Sequence, residues 1–193
     1  MIEAELERIG RRDQVTLIHN PAWEEGSVVS LDAGRATMDC GGPVVLMDAD
    51  VIYDQRLIDR LLASAHPGAL LLDREIEPGD EPVKICVAAD GRIVDFAKQP
   101  VADHVWHGES VGFFRFSADI AASLALRAHA MVNGGDRMSE YEEPIRALIR
   151  EDASGPCMFG YEDITGLPWT EIDFVEDVAK AEALLPLFEE PVA

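Results

Sequence analysis

Cysteine and lysine are both scarce here, each occurring three times in 193 residues. Cys40, Cys86 and Cys157 lie far apart and are odd in number, which excludes a disulfide framework and a multi-cysteine zinc site. They read as ordinary thiols of a reducing compartment, so a cytoplasmic location is expected. No apolar run approaches the ~18 residues that a membrane-spanning helix needs. The opening MIEAELERIGRR is too charged for a secretory leader. Positive charge is also in short supply: 16 basic against 37 acidic residues give a net charge of −21. That balance excludes nucleic acid as a partner. An anionic small substrate then needs cations concentrated at one place, or a metal ion. With so few lysines, the pair Lys84 and Lys98 in one central segment stands out.

What is present is an ordinary core. Apolar residues make up 48% and charged residues 27% of the chain. A chain of this size buries roughly 70% of its unfolded surface without needing a crosslink. No repeat, linker or low-complexity tract interrupts it, and residues 1–193 read as one domain. The oligomeric state is open, a homo-oligomer included.

Hydrophobic spacing predicts a charged helix over residues 2–10 and a short apolar strand at Val15–His19, ended by Asn20-Pro21. A short helix within Ser27–Met38 has Ser30 as its expected N-cap. Val44–Met47 (VVLM) is a buried strand that runs into Asp48-Ala49-Asp50. A helix at about 55–65 and a strand at Ala69–Leu72 follow. These nearly continuous apolar strands alternating with helices predict a parallel sheet covered on both faces. Val83–Val87 and Arg92–Phe96 read as a hairpin around Ala89-Asp90-Gly91. Beyond it come a strand at Ser110–Ser117, helices at about 118–132 and 140–151, a strand near Cys157–Gly160, and a last helix at about 175–188.

In open α/β sheets, ligands gather at the carboxyl ends of the strands. Asp48 and Asp50 occupy such an end, and an i, i+2 spacing sends both side chains to one side of an extended chain. Two carboxylates ~4 Å apart repel by about 4 kcal/mol at an effective dielectric near 20. A divalent cation reverses the sign, and magnesium accepts one or two carboxylates together with substrate phosphates. Asp-x-Asp alone is equally compatible with a helix cap or a solvated loop.

Further segments resemble the nucleotidyltransferases that join a nucleoside triphosphate to a phosphorylated acceptor. The branch they resemble most uses CTP with phosphocholine, phosphonates or sugar phosphates. His19-Asn20-Pro21-Ala22-Trp23 with Ser30-Leu31 resembles the segment before the acidic strand. Val44–Asp50 (VVLMDAD) resembles the strand and loop whose final aspartate holds magnesium. Gly108-Glu109-Ser110-Val111-Gly112 is similar to that branch's Gly-Glu-x-x-Gly strand. Trp169–Asp173, followed by Glu176-Asp177 and Ala181, matches the closing pattern Trp-x-Glu-Ile-Asp-x-x-x-Asp-x-x-x-Ala.

The resemblance implies an α/β fold, a three-layer Rossmann-like mixed sheet of the nucleotidyltransferase (GT-A-like) type. It implies Asp50 and Asp173 as magnesium ligands, with Asp48 in support. Lys98, in Phe96-Ala97-Lys98-Gln99-Pro100, becomes the lysine that faces the acceptor phosphate. Lys84 is a weaker candidate of the same kind, with a structural lysine in an apolar strand as the equal alternative. Glu109 and Glu142 become candidate acceptor contacts, although Glu142 and Glu143 also suit a helix N-terminus. Trp23, Trp106 and Trp169 read as packing residues.

The family's opening strand and Gly-x-Gly-x-Arg loop, which cradles the triphosphate, has no counterpart in these 193 residues. Met1 aligns where the family is already about 50–60 residues in, a gap of one βα unit. The expectation is therefore an N-terminally truncated nucleotidyltransferase domain that uses magnesium, a nucleoside triphosphate (CTP first) and a phosphorylated small-molecule acceptor. Turnover by the polypeptide alone is expected to be weak or absent. Two alternatives stand beside it. One is a metal-dependent GT-A-type glycosyltransferase using Asp48-Ala49-Asp50. The other is a non-catalytic relative that binds a ligand or a partner chain.

Overall fold

The computed structural model describes residues 2–76 and 78–188. In chain order the described elements are α1 (Ile2–Arg8), α2 (Ser27–Ala33), α3 (Arg35–Met38), β1 (Val44–Met47), β2 (Val51–Tyr53), α4 (Gln55–Ala63) and β3 (Gly68–Asp73). They continue with β4 (Lys84–Val87), β5 (Ile93–Ala97), β6 (Trp106–Phe116), α5 (Ala118–Asn133), α6 (Glu142–Asp152), β7 (Phe159–Asp163), β8 (Trp169–Glu171) and α7 (Asp177–Leu184).

Six strands form one sheet in the order β5-β4-β6-β3-β7, with β1 also on β6, while β2 and β8 pair separately. Helices α2, α5 and α6 cover one face, and α4 with the β2–β8 ribbon covers the other. Along β3 and β6 the side chains alternate between the two layers. Leu70, Leu72, Phe114 and Phe116 enter the larger core, whereas Ala69, Leu71, Val111 and Phe113 enter the smaller one. Each fully buried Leu or Phe stabilises by about 1.5–3 kcal/mol, so both registers are strongly fixed. That double burial is why Ala69–Leu72 of β3 reads as an unbroken apolar run.

The sheet is mixed, but its directions depart from the parallel expectation. Only β3–β7 is parallel among the described pairs. The β1–β6, β3–β6, β4–β5 and β4–β6 pairs are antiparallel. Continuous apolar runs report burial on both faces and carry no information about strand direction.

Three local expectations also change. Val15–His19 forms no strand: no ladder pairs with it, and Leu17 and Ile18 are 41% and 50% exposed. Ser30 is not a cap, because α2 already begins at Ser27 with Gly26 before it. Instead the Ser30 hydroxyl accepts a 2.9 Å hydrogen bond from Asn20 Nδ2. The last helix stops at Leu184 and gives way to a 3₁₀ turn over Leu185–Leu187 with Pro186 inside it.

One feature of β6 creates the site. Its far edge pairs with β3, and its near edge is shared by two strands in succession. β4 pairs through Trp106–Glu109, and β1 pairs through Phe113–Phe116. The sheet therefore forks at Ser110–Gly112, where β4 leaves and β1 begins.

Candidate active site

At this fork a cavity of about 650 Å³ opens, within the size range of small-molecule sites. Its floor is Glu109, Ser110 and Gly112 of β6, and its sides come from the acidic loop after β1, the segment around Lys98, the start of α6 and the segment after β8. Asp48, Asp50, Lys98, Glu109, Glu142 and Asp173 all line it. An adjoining lobe of about 520 Å³ shares Glu109, Glu171, Asp173 and Asp177 and adds Trp169 and Leu167.

Local backbone pairing explains how residues remote in sequence meet. The β2–β8 ribbon places Val51 opposite Glu171, and the next hydrogen bond, Ile172 N to Asp50 O, is 2.8 Å. That ladder brings the Asp173 segment beside the Asp50 segment. Asp177 Oδ2 then accepts from the N–H groups of Asp173 and Phe174 at 3.2 and 2.9 Å, which fixes the turn behind β8.

Asp48 is held from two directions. Its N–H donates to Gly112 O at 3.1 Å, extending the β1–β6 ladder by one residue. Its Oδ2 accepts a 2.6 Å hydrogen bond from the Tyr141 hydroxyl. Gly112 has a φ of +73°, and a Cβ there would stand 2.0 Å from Asp48 Oδ2. The glycine is thus demanded both by its left-handed backbone and by the carboxylate packed on it. Tyr141 is itself anchored, since its N–H donates to Ser27 Oγ at 2.8 Å.

Negative charge accumulates in the cavity with little to balance it. Burial raises the Asp48 carboxyl above its usual range, Tyr141 works against the rise, and Asp50 adds to it. Glu142 is pushed up to about 7, mainly by burial and also by Glu140 and Asp48. Its Oε2 is buried with no hydrogen-bond partner among the described residues. Glu171 is likewise pushed up to about 7, by burial first and then by Asp173, Glu109, Asp50 and Asp48. Burial also raises the Tyr141 phenol, as do Glu142 and Asp48.

Lys98 is the lysine of this cavity. Its ammonium contacts Glu81 and Glu140 at 3.1 and 3.2 Å. Burial by itself would lower its pKa, but these two carboxylates hold it raised. Lys84 stands elsewhere: it is not among the lining residues, and its ammonium donates to Lys98 O at 2.8 Å and Pro82 O at 3.2 Å. It ties down the segment that carries Lys98, in keeping with the structural alternative the sequence left open beside the catalytic one.

Among the described residues no three His, Cys, Asp or Glu side chains converge on a point that could hold a metal ion unaided. The donor set nevertheless suits a hard divalent cation. Asp50 and Asp173 offer oxygen ligands on one wall, and magnesium ordinarily completes its shell with water and substrate phosphate. The raised carboxyls show that the cavity is short of positive charge.

Sequence reasoning gave no role in the site to Glu81, Tyr141 or Glu171, nor a packing role to Gly112. Gly112 did carry a signal, as an isolated glycine inside a strand pattern. None of the three tryptophans lines the main cavity, and only Trp169 borders the adjoining lobe. Trp106 packs edge-on against Tyr161 and under Arg74, Trp169 Nε1 donates to Asp73 at 2.7 Å, and Trp23 is 69% exposed. Cys86 is fully buried and its thiol is pushed up to about 12 by burial, so it is no nucleophile.

Neither a protein-family model nor a curated protein sequence matches the chain. Solved structures do. The inositol-1-phosphate CTP transferase of T. maritima superimposes with a TM-score of 0.62 at 14% identity, over 90% of this chain. The CTP:phosphocholine cytidylyltransferase of Streptococcus pneumoniae gives 0.69 at 16% identity, over 95% of this chain. The fold is that of the nucleotidyltransferases. A Bacillus anthracis protein assigned as a glucose-1-phosphate thymidylyltransferase also matches, with a TM-score of 0.56 at 11% identity over 87% of this chain. The chain spans 66%, 75% and 64% of the lengths of these three nucleotidyltransferase-fold proteins. Among the described residues no helix is long and apolar enough to cross a membrane.

Proposed function

We propose that residues 1–193 form a single nucleotidyltransferase domain that transfers a nucleotidyl group from a nucleoside triphosphate to a phosphorylated small molecule. The observation that carries this reading is the pairing of Ile172 with Asp50, which sets Asp50 and Asp173 on one wall of a cavity that also contains Lys98. The acceptor phosphate oxygen attacks the α-phosphorus, the bond to the β-phosphate bridging oxygen breaks, and pyrophosphate leaves. Such chemistry asks the protein for positioning and charge stabilisation.

Asp50 and Asp173 would hold magnesium, which when bound supplies the positive charge that phosphate oxygens require. Lys98 exchanges Glu81 or Glu140 for the acceptor phosphate. Asp48, held by Tyr141 and packed on Gly112, keeps the acidic loop in place. Lys84 positions the Lys98 backbone from behind. Glu109 and Glu142 take hydroxyl or amine groups of the acceptor, and a Glu142 that titrates near 7 can also donate a hydrogen bond.

CTP is the proposed donor. The support is the resemblance at Asn20–Trp23 and Gly108–Gly112, together with two fold neighbours that are CTP enzymes. The free cysteines Cys40, Cys86 and Cys157 support a cytoplasmic location. The 193 residues hold no Gly-x-Gly-x-Arg loop, so weak turnover is expected from this polypeptide unless that loop is supplied.

The test is pyrophosphate release with CTP, UTP, ATP, GTP and dTTP against phosphocholine, inositol 1-phosphate and glucose 1-phosphate. It is run with magnesium or EDTA, on residues 1–193 and on a version extended by any in-frame upstream codons. Magnesium-dependent pyrophosphate, greatest with CTP, is expected. No pyrophosphate from either version, and no magnesium-dependent nucleotide binding, overturns the reading. Release of a nucleoside diphosphate from a nucleotide sugar would instead favour the glycosyltransferase alternative suggested by Asp48-Ala49-Asp50.

A further inference from the structure

Outside the cavity, where the chain enters β6, two histidines face each other. His104 Nε2 and His107 Nδ1 are 3.2 Å apart, with ring centroids at 5.3 Å and planes inclined by 68°. We propose that His104 and His107 form a binding site for a borderline transition-metal dication of the zinc class, separate from the carboxylate cavity.

The spacing is the first support. Two imidazole nitrogens bound at ~2.0–2.1 Å to a tetrahedral ion stand about 3.3–3.4 Å apart, close to the separation already present. The outer contact is the second. His104 Nδ1 lies 2.9 Å from Ala102 O. A carbonyl only accepts, so Nδ1 carries the proton and Nε2 presents its lone pair. Metal-binding histidines are commonly oriented this way, by an acceptor on the nitrogen that faces away from the ion.

The third support is preorganisation. Val105 N donates to Val87 O at 2.9 Å, and His107 sits in the β4–β6 ladder opposite Cys86, so the backbone between the two histidines and at His107 is fixed.

Proton accounting is simple. Without metal, His107 Nδ1–H donates to His104 Nε2. On binding, the His107 proton moves to Nε2 and the freed Nδ1 lone pair joins the ion. Both rings remain neutral and no proton is released. No third ligand converges among the described residues, so water fills the other positions and the ion exchanges readily. The Lys84 charge opposes a dication, while the net charge of −21 favours one. Imidazole donors favour zinc, nickel and copper over magnesium.

The chain has five histidines, so ring NMR resolves the site directly. Zinc titrated into the intact protein is expected to shift the His104 and His107 ring signals at concentrations about tenfold below those that move His19, His66 and His129. The same shifts are expected in Asp50→Asn, and excess magnesium should leave both rings unmoved. A His104→Gln/His107→Gln double variant should lose about tenfold or more in zinc affinity with an unchanged melting temperature. The proposal is overturned if the two rings shift no earlier than the others, if magnesium shifts them equally, or if the intact double variant keeps its affinity.

Discussion

The hydroxyl of Tyr141 donates a 2.6 Å hydrogen bond to Asp48 Oδ2 and ties the start of α6 to the acidic loop after β1. Removing it tests how far Asp48 depends on that support. Tyr141→Phe is expected to lose about 1.5–3 kcal/mol, the range for a hydrogen bond to a charged group. It should also raise the Asp48 pKa further, because burial then acts unopposed by the phenol. Urea unfolding at pH 8 reads the first effect and carboxyl NMR titration the second. An unchanged midpoint and an unchanged Asp48 titration would contradict the assignment.

Gly112→Ala meets two obstacles at once, a φ of +73° and a Cβ 2.0 Å from Asp48 Oδ2. The backbone alone costs about 1–3 kcal/mol. The midpoint of denaturant unfolding should fall accordingly, and magnesium-dependent nucleotide binding should fall with it. Gly42→Ala, outside the cavity lining and with only Cys40 Sγ near the added Cβ, at 3.9 Å, should leave nucleotide binding unchanged.

Asp95 and Arg146 form the most buried ion pair among the described residues, with side chains 0% and 15% exposed and an Nε–Oδ1 distance of 2.7 Å. The carboxylate also accepts from the N–H groups of Phe96, Val101 and Ala102. Breaking such a pair from one side costs about 3–5 kcal/mol. Asp95→Asn should therefore be among the most destabilising single changes. A loss below 1 kcal/mol in equilibrium unfolding would be incompatible with this burial.

Two carboxyls set opposite pH dependences. Glu142 is raised from an ordinary 4.5 to about 7 in the folded protein. Between those values the folded state binds more protons than the unfolded one, so Glu142 contributes stability below about pH 4.5 that is lost as pH rises through 7. Asp95 behaves in reverse. Burial alone would raise its pKa, but Arg146 and three backbone N–H groups hold it well below the carboxylate range. Its stabilisation is present above the ordinary value of 3.8 and is lost as pH falls below it. Maximum stability is expected in mildly acidic solution. In Glu142→Gln the decline from pH 5 to pH 8 should flatten, as read from melting temperature across that range.

The two central lysines should separate cleanly. Lys98→Ala should raise KM for the phosphorylated acceptor, because Lys98 lines the cavity. Lys84→Met should act through stability, because its ammonium holds the carbonyls of Pro82 and Lys98. A Lys84→Met protein that melts like the parent yet loses turnover would favour the catalytic alternative over the structural one.

Sequence by itself marked most of the helices and the longer strands, but not the β2–β8 ribbon, and it pointed to Asp48, Asp50 and Asp173 as residues to look for. Val44–Met47 reads as a strand because four apolar residues are followed at once by acid. It is not the buried strand expected: among the described residues β1 pairs only with β6, and Val45 and Met47 are exposed. Asp48 and Asp50 therefore fell at a strand end, and the closing pattern around Asp173 marked its partner by resemblance. What tertiary structure decided was direction and meeting. Strand direction follows from which ladders close, which a doubly buried run such as Ala69–Leu72 does not encode. Val15–His19 has strand composition but no ladder, and strand formation needs a partner. The contacts of Asp48 with Tyr141 and Gly112, and of Ile172 with Asp50, join segments remote in sequence. They depend on the fork in β6 that no local pattern reveals. Lys84 and Lys98 look alike in sequence, and only the carbonyls and carboxylates around each ammonium assign them different work.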